Sequence, residues 1–512
     1  MPRLVRDPRR SLSPEAARTR SSEGRRCRNH TTGFLVLVFG ALQGLSGAER
    51  KTPIGLRADG TVIHAWVTAA SYQVAAPAPH VLVVGTAPFE AQGWTVTRLE
   101  APTAALTFPP RGVAYTGAER EAHVLWRWVG ALGPDAVVGN DALSAALVDS
   151  GRVRVWSPQQ TDPSPVRLEL RRRLDRTPLV LARQLGTQYG HAFGQVAYIP
   201  ALALIGRLQV ARQTGDLATV QEVARLALAA PVPPSPDGPA LAGHLVFAAL
   251  AAEGGDDEAL SRVRFAAASA RSAEGASVPF VPGHREMSDA VFLNGPILAA
   301  AGRLTGDPLY YQAALNHVRF MRRLCLRPDG LYRHSPLNEA AWGRGNGFPA
   351  LGLALMVSDW PDSVPGRDEL LKNLRDHLDA LIPFQNESGL WHQVIDHPES
   401  YRELSCTCMI AFAMARGMRE GWLDRRHYAS ICRRAWEAIL LRIDLEGKEL
   451  VDVCTGTGKF PTLEDYLLRP AILGRDDRGG AMALLLAAEL AQAGGEESDS
   501  LPRTSSDPVR ER

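Results

Sequence analysis

Apolar residues recur every three or four positions through most of the chain after about residue 180, and strand-like alternation nearly vanishes there. This period is that of amphipathic helices that each bury one face. Short turns alternate with longer loops that contain Gly and Pro. Roughly twelve helices joined in this way predict an all-α (α/α)6 barrel, or toroid, over residues 175–494. The helical segments include residues 195–213, 218–229, 239–253, 257–270, 287–303, 307–324, 345–357, 366–384, 402–419, 426–442 and 479–493.

Residues 49–170 have a different pattern. Short β-branched runs at residues 80–87, 135–141 and 153–158 lead into Gly, Asn or Pro, and a segment with helical periodicity lies between two of them. This pattern predicts a small α/β domain with a parallel sheet. The loop "GTAPFEAQG" weakly resembles the zinc carboxypeptidase-like fold, in which such a loop carries H-x-x-E. Glu90 is present without a histidine three positions earlier, so we expect a degenerate, structural or docking role.

The first 48 residues are predicted to be a leader that contains a signal peptide. Four arginines precede an apolar run from Phe34 to Leu45, and the small residues Ser46 to Ala48 suit cleavage before Glu49. The run is too short to span a bilayer comfortably, so no stable membrane insertion is expected. A disordered arm with a buried hydrophobic plug is the alternative. The signal peptide predicts a periplasmic or extracellular protein, and the polar residues 495–512 predict a disordered tail.

Charge and cysteine usage exclude two classes of function. The chain has 57 Lys and Arg against 55 Asp and Glu, a formal net charge of +2, which does not suit a protein that binds nucleic acid. Its six cysteines have no spacing typical of a metal site. We therefore expect no metal and no cofactor. A disulfide between two of the later cysteines stays possible in an oxidising compartment.

The seven residues 342–348, Trp-Gly-Arg-Gly-Asn-Gly-Phe, suggest a site for an acidic sugar. Arg344 could hold a carboxylate through two parallel hydrogen bonds. Trp342 and Phe348 could offer apolar faces to a pyranose ring, and Asn346 lies between them. Glycine-rich turns with one arginine and one tryptophan are also common without any function.

The blocks around this heptapeptide resemble a known family. "GLYRHSP", "AAWGRGNGFPALGLAL", "GLWHQVIDHPESYRELS" and "CTGTG" follow one another in an order and spacing similar to those of the unsaturated rhamnogalacturonyl hydrolases, glycoside hydrolase family 105. Unsaturated glucuronyl hydrolases of family 88 are related. The resemblance covers residues 180–495 and implies the same toroid. The closing aromatic residue is more often Trp in the family and is Phe348 here, which bears on the finer sugar preference.

The resemblance implies a particular reaction. A lyase leaves a C4=C5 double bond on the terminal uronic acid, and the family's enzymes protonate this vinyl ether at C4 so that water adds at C5. The family's general acid lies in a D-x-x-F-[ML]-x-x-P block, which places it at Asp289, with Phe292, Leu293 and Pro296 in register. Asp237 is the candidate for a second carboxylate. Each aspartate precedes an apolar helical run, so helix N-capping is the competing interpretation for both.

Further residues are expected to position the sugar. The resemblance places His334, in "GLYRHSP", near the active site, and it assigns Arg344 to the uronate carboxylate or neighbouring hydroxyls. Trp342 and Trp391 would wall the cleft, although Trp391 could equally belong to the core. Glu403 and Ser405 are expected to brace the barrel through hydrogen bonds.

The favoured function is therefore that of a hydrolase that removes the 4,5-unsaturated uronic acid from the non-reducing end of lyase-generated oligosaccharides, such as those from pectin or rhamnogalacturonan. A non-catalytic carbohydrate-binding or scaffold protein on the same toroid is the alternative, and ordinary hydrolysis of saturated glycosides is a weaker third reading. An acidic unsaturated oligosaccharide is the expected partner. The sequence does not indicate the oligomeric state.

Overall fold

The computed structural model describes residues 48–85, 88–103, 106–108, 111–139, 141–159 and 162–495. The apolar run predicted to be a signal peptide and the predicted tail from residue 496 onward lie outside these residues. None of the helices in the described ranges combines the length and apolar character needed to cross a bilayer.

The helices of residues 178–495 form an inner ring and an outer ring with six positions each. The predicted (α/α)6 barrel is therefore confirmed. Each inner element packs against the next until the ring closes. The inner elements are α5 (Tyr198–Thr214), the broken pair α7 (Gly238–Gly243) and α8 (Leu245–Gly254), α10 (Ala290–Thr305), α12 (Gly343–Ser358), α14 (Leu404–Arg419) and α17 (Asp477–Gly495). The outer helices are α4 (Pro178–Gln188), α6 (Leu217–Leu228), α9 (Asp257–Ala267), α11 (Pro308–Cys325), α13 (Arg367–Leu381) and α15 (Arg425–Leu441).

Inner and outer helices differ in composition because they are buried differently. Helices α10, α12 and α14 are buried on nearly every side and are apolar all round, as expected for helices without a solvent face. The outer helices keep one polar face, and several begin at an aspartate whose carboxylate accepts backbone N–H groups, as Asp256 does for α9 and Asp424 for α15.

Inner and outer helices alternate along the chain, so all inner helices run in the same direction and start at one end of the ring. Tyr198 at the start of α5 contacts Phe292 and Phe348 in the first turns of α10 and α12. Two short antiparallel pairs lie at the same end: β7 (Trp391–His392) with β8 (Arg402–Glu403), and β9 (Leu450–Cys454) with β10 (Ala471–Gly474). The short helix α16 (Leu463–Leu467) joins the second pair. We call this end the mouth.

A six-stranded sheet precedes the barrel, in the order β1-β2-β4-β3-β5-β6. The three runs singled out in the sequence form β3 (His80–Val84), β5 (Ala136–Val138) and β6 (Arg154–Val155), and these strands are parallel, together with β4 (Thr95–Leu99). The prediction missed the hairpin of β1 (Arg50–Leu56) and β2 (Val62–Val67). This hairpin makes one side of the sheet antiparallel, because a tight turn can join only antiparallel strands. Three helices complete this region: α1 (Arg120–Leu132), α2 (Ala142–Asp149) and α3 (Pro165–Leu174).

Buried charges join this region to the barrel. Arg127 of α1 forms an ion pair with Asp452 of β9, and Asp452 also accepts a hydrogen bond of 2.9 Å from Arg442. Arg120 donates to the carbonyl of Leu468 at 2.7 Å. Tyr115 packs into the apolar cluster that contains Trp342. The α/β region therefore packs against segments that form the mouth of the barrel.

Candidate active site

Asp289 lies at the start of α10, at the mouth. Its backbone is helical (φ −51°, ψ −30°), and its side chain makes no capping hydrogen bond, so the N-capping interpretation is wrong for this residue. The side chain is 10% exposed, and Oδ1 lies 3.3 Å from Nε2 of His334. Oδ1 is buried and forms no hydrogen bond within the described residues. A buried carboxylate with an unsatisfied oxygen is unusual for a purely structural residue.

His334 is fully buried and is held on its other side by Tyr466. Nδ1 lies 2.8 Å from the hydroxyl oxygen of Tyr466, and the same oxygen accepts a hydrogen bond of 3.2 Å from the backbone N–H of Phe460. The hydroxyl can donate to Nδ1 or accept from it. When it donates, the hydrogen of a neutral imidazole lies on Nε2, the ring nitrogen 3.3 Å from Oδ1 of Asp289. Burial raises the pKa of Tyr466, which keeps the hydroxyl protonated.

Close backbone contacts fix the acid and the histidine relative to each other. The N–H of Ser288 donates to the carbonyl of His334 at 2.9 Å. A Cβ placed on Gly345 would lie 2.9 Å from Oγ of Ser288 and 3.5 Å from Cδ2 of His334. A residue larger than glycine in the first turn of α12 would therefore displace the side chain of Ser288, the residue before Asp289.

Arg344 has a structural role, which contradicts the expectation that it holds a substrate carboxylate. It is 2% exposed, and its two terminal nitrogens donate to the carbonyls of Cys454 at 2.6 Å and Thr455 at 2.7 Å. Glu403 lies 3.9 Å away. As expected, Glu403 and Ser405 brace the barrel: Glu403 accepts from the N–H of Cys454 at 2.9 Å and from Ser405. The guanidinium therefore holds the "CTGTG" segment in place.

Trp342 does not wall an open cleft as predicted. It is 2% exposed, its ring lies 4.4 Å from that of His334, and the guanidinium of Arg344 lies 4.6 Å from its centroid. The indole ring therefore packs against the imidazole ring of His334. Its Nε1 is buried and has no hydrogen-bond partner in the described part of the chain.

Three other residues predicted to bind substrate are structural instead. Asn346 is buried and uses its amide on the backbone of Tyr332 and Trp342. Phe348 is buried and stacks on Phe292 with centroids 5.4 Å apart. Trp391 is completely buried, and its indole N–H donates to the carbonyl of Leu381 at 2.7 Å. In each case, packing inside the ring takes the surface that a sugar would need.

Asp237 has the capping role that was the competing interpretation. Its carboxylate accepts from the N–H of Ala240 at 3.4 Å at the start of α7, and it forms an ion pair with Arg285. The side chain is 45% exposed. Its catalytic role stays a prediction. The five described cysteines are buried free thiols, so no disulfide forms among them.

A cleft of about 530 Å³ opens at the mouth, beside the starts of α17, α5 and α7. Tyr198, Pro239, Arg475 and Arg478 are among its lining residues. Asp289 is not among its lining residues, but the ring of Tyr198 lies 6.0 Å from that of Phe292, which follows Asp289 by three positions in α10. Sequence reasoning missed Tyr198, Tyr466 and Arg478. None lies in a block that carried the resemblance, and Tyr466 is far from His334 in sequence.

The chain is similar in sequence to several known proteins. The profile described as Glycosyl Hydrolase Family 88 matches residues 284–493, which include Asp289, His334 and the heptapeptide. The unsaturated rhamnogalacturonyl hydrolase YesR of Bacillus subtilis strain 168 is 30% identical over 187 residues, covering 35% of this chain and 52% of that protein. Protein Atu3128 of Agrobacterium fabrum strain C58 is 30% identical over 225 residues, covering 38% of this chain and 95% of that protein.

The chain spans about half the length of the unsaturated-uronide hydrolases that it matches. Among solved structures, a possible member of family GH105 from Klebsiella pneumoniae superposes with a TM-score of 0.53 at 24% identity, covering 66% of this chain and 99% of that one. At this identity the likeness concerns the fold, and it agrees with the ring of helices described above.

Proposed function

We propose, from the premise that this chain belongs to glycosyl hydrolase family 88, that it removes a 4,5-unsaturated uronic acid from the non-reducing end of oligosaccharides produced by a lyase. The observation that carries the proposal is the buried Oδ1 of Asp289, which has no hydrogen-bond partner in the described residues and faces His334 at the mouth. The names of relatives such as the unsaturated rhamnogalacturonyl hydrolase of B. subtilis support pectin- or rhamnogalacturonan-like substrates.

The proposed reaction begins when protonated Asp289 gives its proton to C4 of the unsaturated sugar. The C4=C5 electron pair forms the new C–H bond and leaves an oxocarbenium-like centre at C5 and O5. Water adds at C5 and returns a proton to the carboxylate, so Asp289 acts first as an acid and then as a base. The hemiketal at C5 opens to a ketone, and the hemiacetal left at C1 collapses to an aldehyde and releases the remaining chain as an alcohol.

His334 has a supporting role in this proposal. In this proposal Tyr466 donates to Nδ1, so that Nε2 carries the ring hydrogen. Because Nε2 lies 3.3 Å from Oδ1 of Asp289, a small adjustment would let it donate to the carboxylate that forms when the proton has left. Because the leaving group departs from a hemiacetal and not by direct displacement, the carboxylate spacing that distinguishes retaining from inverting glycosidases does not apply here.

The experiment is to incubate the protein with oligosaccharides cut by a polysaccharide lyase and to follow the ultraviolet absorbance of the conjugated C4=C5 bond. We expect the absorbance to fall with time and a 5-keto uronic acid product to form. Saturated oligosaccharides of the same composition are the control and should not be cleaved. Tight binding of the unsaturated oligosaccharide without loss of absorbance would contradict the proposal and favour a carbohydrate-binding protein.

We further propose that the protein is exported and that its mature chain begins near Glu49. The support is the apolar run from Phe34 to Leu45 after four arginines, followed by small residues at 46–48. N-terminal sequencing of the protein from its native host tests this directly. A cytoplasmic protein that keeps residues 34–48 would contradict it.

A further inference from the structure

The cation that receives the substrate carboxylate must be sought away from Arg344. Both terminal nitrogens of Arg344 already donate to the carbonyls of Cys454 and Thr455, and releasing them would leave buried acceptors without partners. A uronate still needs a partner of opposite charge, because a carboxylate loses favourable contacts with water when it enters a cleft. Another arginine at the mouth is in a better position.

Arg478 lies in the first turn of α17 and lines the cleft together with Tyr198. Its side chain is 18% exposed. Nη1 lies 3.5 Å from the carbonyl oxygen of Cys454, and the guanidinium lies 3.6 Å from Oδ2 of Asp476. Both distances exceed those of good hydrogen bonds. The Cys454 carbonyl is already well satisfied by Arg344 at 2.6 Å, so Arg478 could leave it at little cost.

The other cations at this end of the ring hold shorter contacts. Arg475 donates to the carbonyl of Gln188 at 2.9 Å and to Asp477 at 3.0 Å. Arg469 donates to Oγ1 of Thr455 at 3.1 Å and also to the carbonyl of Gly456. Arg285 is paired with Asp237, and Lys459 lies 3.2 Å from Glu286. Of these cations, Arg478 has the weakest contacts within the described residues.

The position of Arg478 at a helix start favours an anion, although Asp476 and Asp477 also line the cleft. The residue belongs to the N-terminal turn of a 19-residue helix, where the helix dipole adds to the charge of the guanidinium. One oxygen of the neighbouring Asp476 accepts the N–H of Gly479 at 2.7 Å, so this carboxylate is engaged in capping the helix.

We propose that Arg478 binds the carboxylate of the terminal uronic acid in this cleft, and that Tyr198 flanks the sugar ring on the side towards Asp289. The inference rests on the proposed function, because it assumes an acidic sugar in the cleft. A planar guanidinium can donate two parallel hydrogen bonds to a carboxylate, whereas an ammonium cannot. The specificity for an acidic sugar then comes from a residue of α17, whereas the proposed proton donor lies at the start of α10.

The test measures binding separately from turnover. Full-length protein with Asp289→Asn is titrated calorimetrically with an unsaturated disaccharide made by a lyase and with its carboxyl-reduced analogue. Arg478→Gln, added to this variant, should weaken binding of the acidic disaccharide by roughly 10- to 150-fold, the loss expected for a charge-assisted hydrogen bond. Binding of the reduced analogue should not change. Arg478→Lys should give an intermediate loss, since it keeps the charge but not the fork.

Arg319→Gln is the matched control, because it removes an arginine of the outer helix α11 that is paired with Glu369 and does not line the cleft; we expect it to leave the affinity for the acidic disaccharide unchanged. An unchanged affinity in Arg478→Gln, an equal loss for both disaccharides, or the same selective loss in Arg319→Gln would overturn the inference. Turnover is also compared between the wild type and Arg478→Gln in protein that keeps Asp289. Equal rates in the two proteins would contradict this inference alone. Selective, Arg478-dependent binding without turnover would contradict only the proposed function, and binding of neither disaccharide would contradict both.

Discussion

Oδ1 of Asp289 and Nε2 of His334 face each other at 3.3 Å, and neither atom has a hydrogen-bond partner among the described residues. The two residues lie 45 positions apart in the chain and meet because α10 starts beside the loop that leads into α12. Tyr466 and Trp342 both contact the histidine ring. The fold therefore fixes the relative position of these two side chains. Their two atoms without hydrogen-bond partners lie next to each other at the mouth.

Asp289→Asn should abolish turnover and leave the fold intact. An amide cannot donate a proton to the vinyl ether, and loss of a general acid typically costs about 10²–10⁴-fold in rate. The rate of absorbance loss and the thermal unfolding temperature measure the two effects. Asp424→Asn is the control, because Asp424 caps an outer helix and Asn is an equally good cap. Near-normal turnover in a folded Asp289→Asn protein would move the acid elsewhere, and Asp237 would be tested next.

Tyr466→Phe should slow turnover modestly without a comparable change in KM. The substitution removes the hydroxyl that bonds to Nδ1 of His334, and loss of one neutral hydrogen bond corresponds to about 2- to 10-fold in kcat. Tyr311→Phe removes a comparable hydrogen bond to the carbonyl of Asp359, on an outer helix, and should leave kcat unchanged. Equal effects of the two substitutions on kcat would argue against a role for Tyr466 in positioning the histidine.

Arg344→Lys should destabilise the fold at the mouth. It should not change the preference for acidic over carboxyl-reduced substrates. One ammonium cannot reach the carbonyls of Cys454 and Thr455 in the geometry of the guanidinium, so we expect the free energy of unfolding to fall by about 1.5–3 kcal/mol. Turnover should fall by the same factor for acidic and carboxyl-reduced substrates. Arg416→Lys, at another buried arginine with an ion pair to Glu489, is the control for stability. A loss confined to acidic substrates would restore the interpretation made from the sequence.

Acidification should destabilise the protein through buried histidines. His317 accepts the N–H of Val281 on Nδ1, and its Nε2 lies 3.0 Å from the carbonyl of Ala290; burial lowers its pKa to about 4. Below pH 6.5 the unfolded chain binds a proton that the folded chain does not, so stability falls as the pH drops from about 6.5 towards 4. At pH 5 this histidine alone accounts for about 2 kcal/mol.

Burial lowers the pKa of His80 to about 3, which acts in the same direction. Denaturant unfolding at pH 7 and pH 5 measures the difference in stability. His317→Gln should show a smaller loss between these two pH values than the wild type, and a substitution at the exposed His191 should show the same loss as the wild type. A loss in His317→Gln equal to that of the wild type would contradict the assignment.

The sequence by itself determined the barrel and the family, and it supplied Asp289 as the candidate acid. Helical periodicity is a local property of the chain. It located the helices of the barrel because the buried residues of a helix recur every three or four positions. The block from Asp289 to Pro296 is likewise contiguous, so its register could be read directly. The parallel strands β3, β5 and β6 were also predicted from local runs, whereas the hairpin of β1 and β2 was not.

Only the tertiary structure decided which polar residues are available to a substrate. Arg344, Asn346, Phe348 and Trp391 have the residue types of a sugar site, but contacts with other parts of the barrel engage or bury all four. Arg478 lies outside every block that carried the resemblance, and it reaches the cleft because the last inner helix closes the ring beside the first. A pattern specifies which group a residue carries, and packing determines whether that group already has a partner.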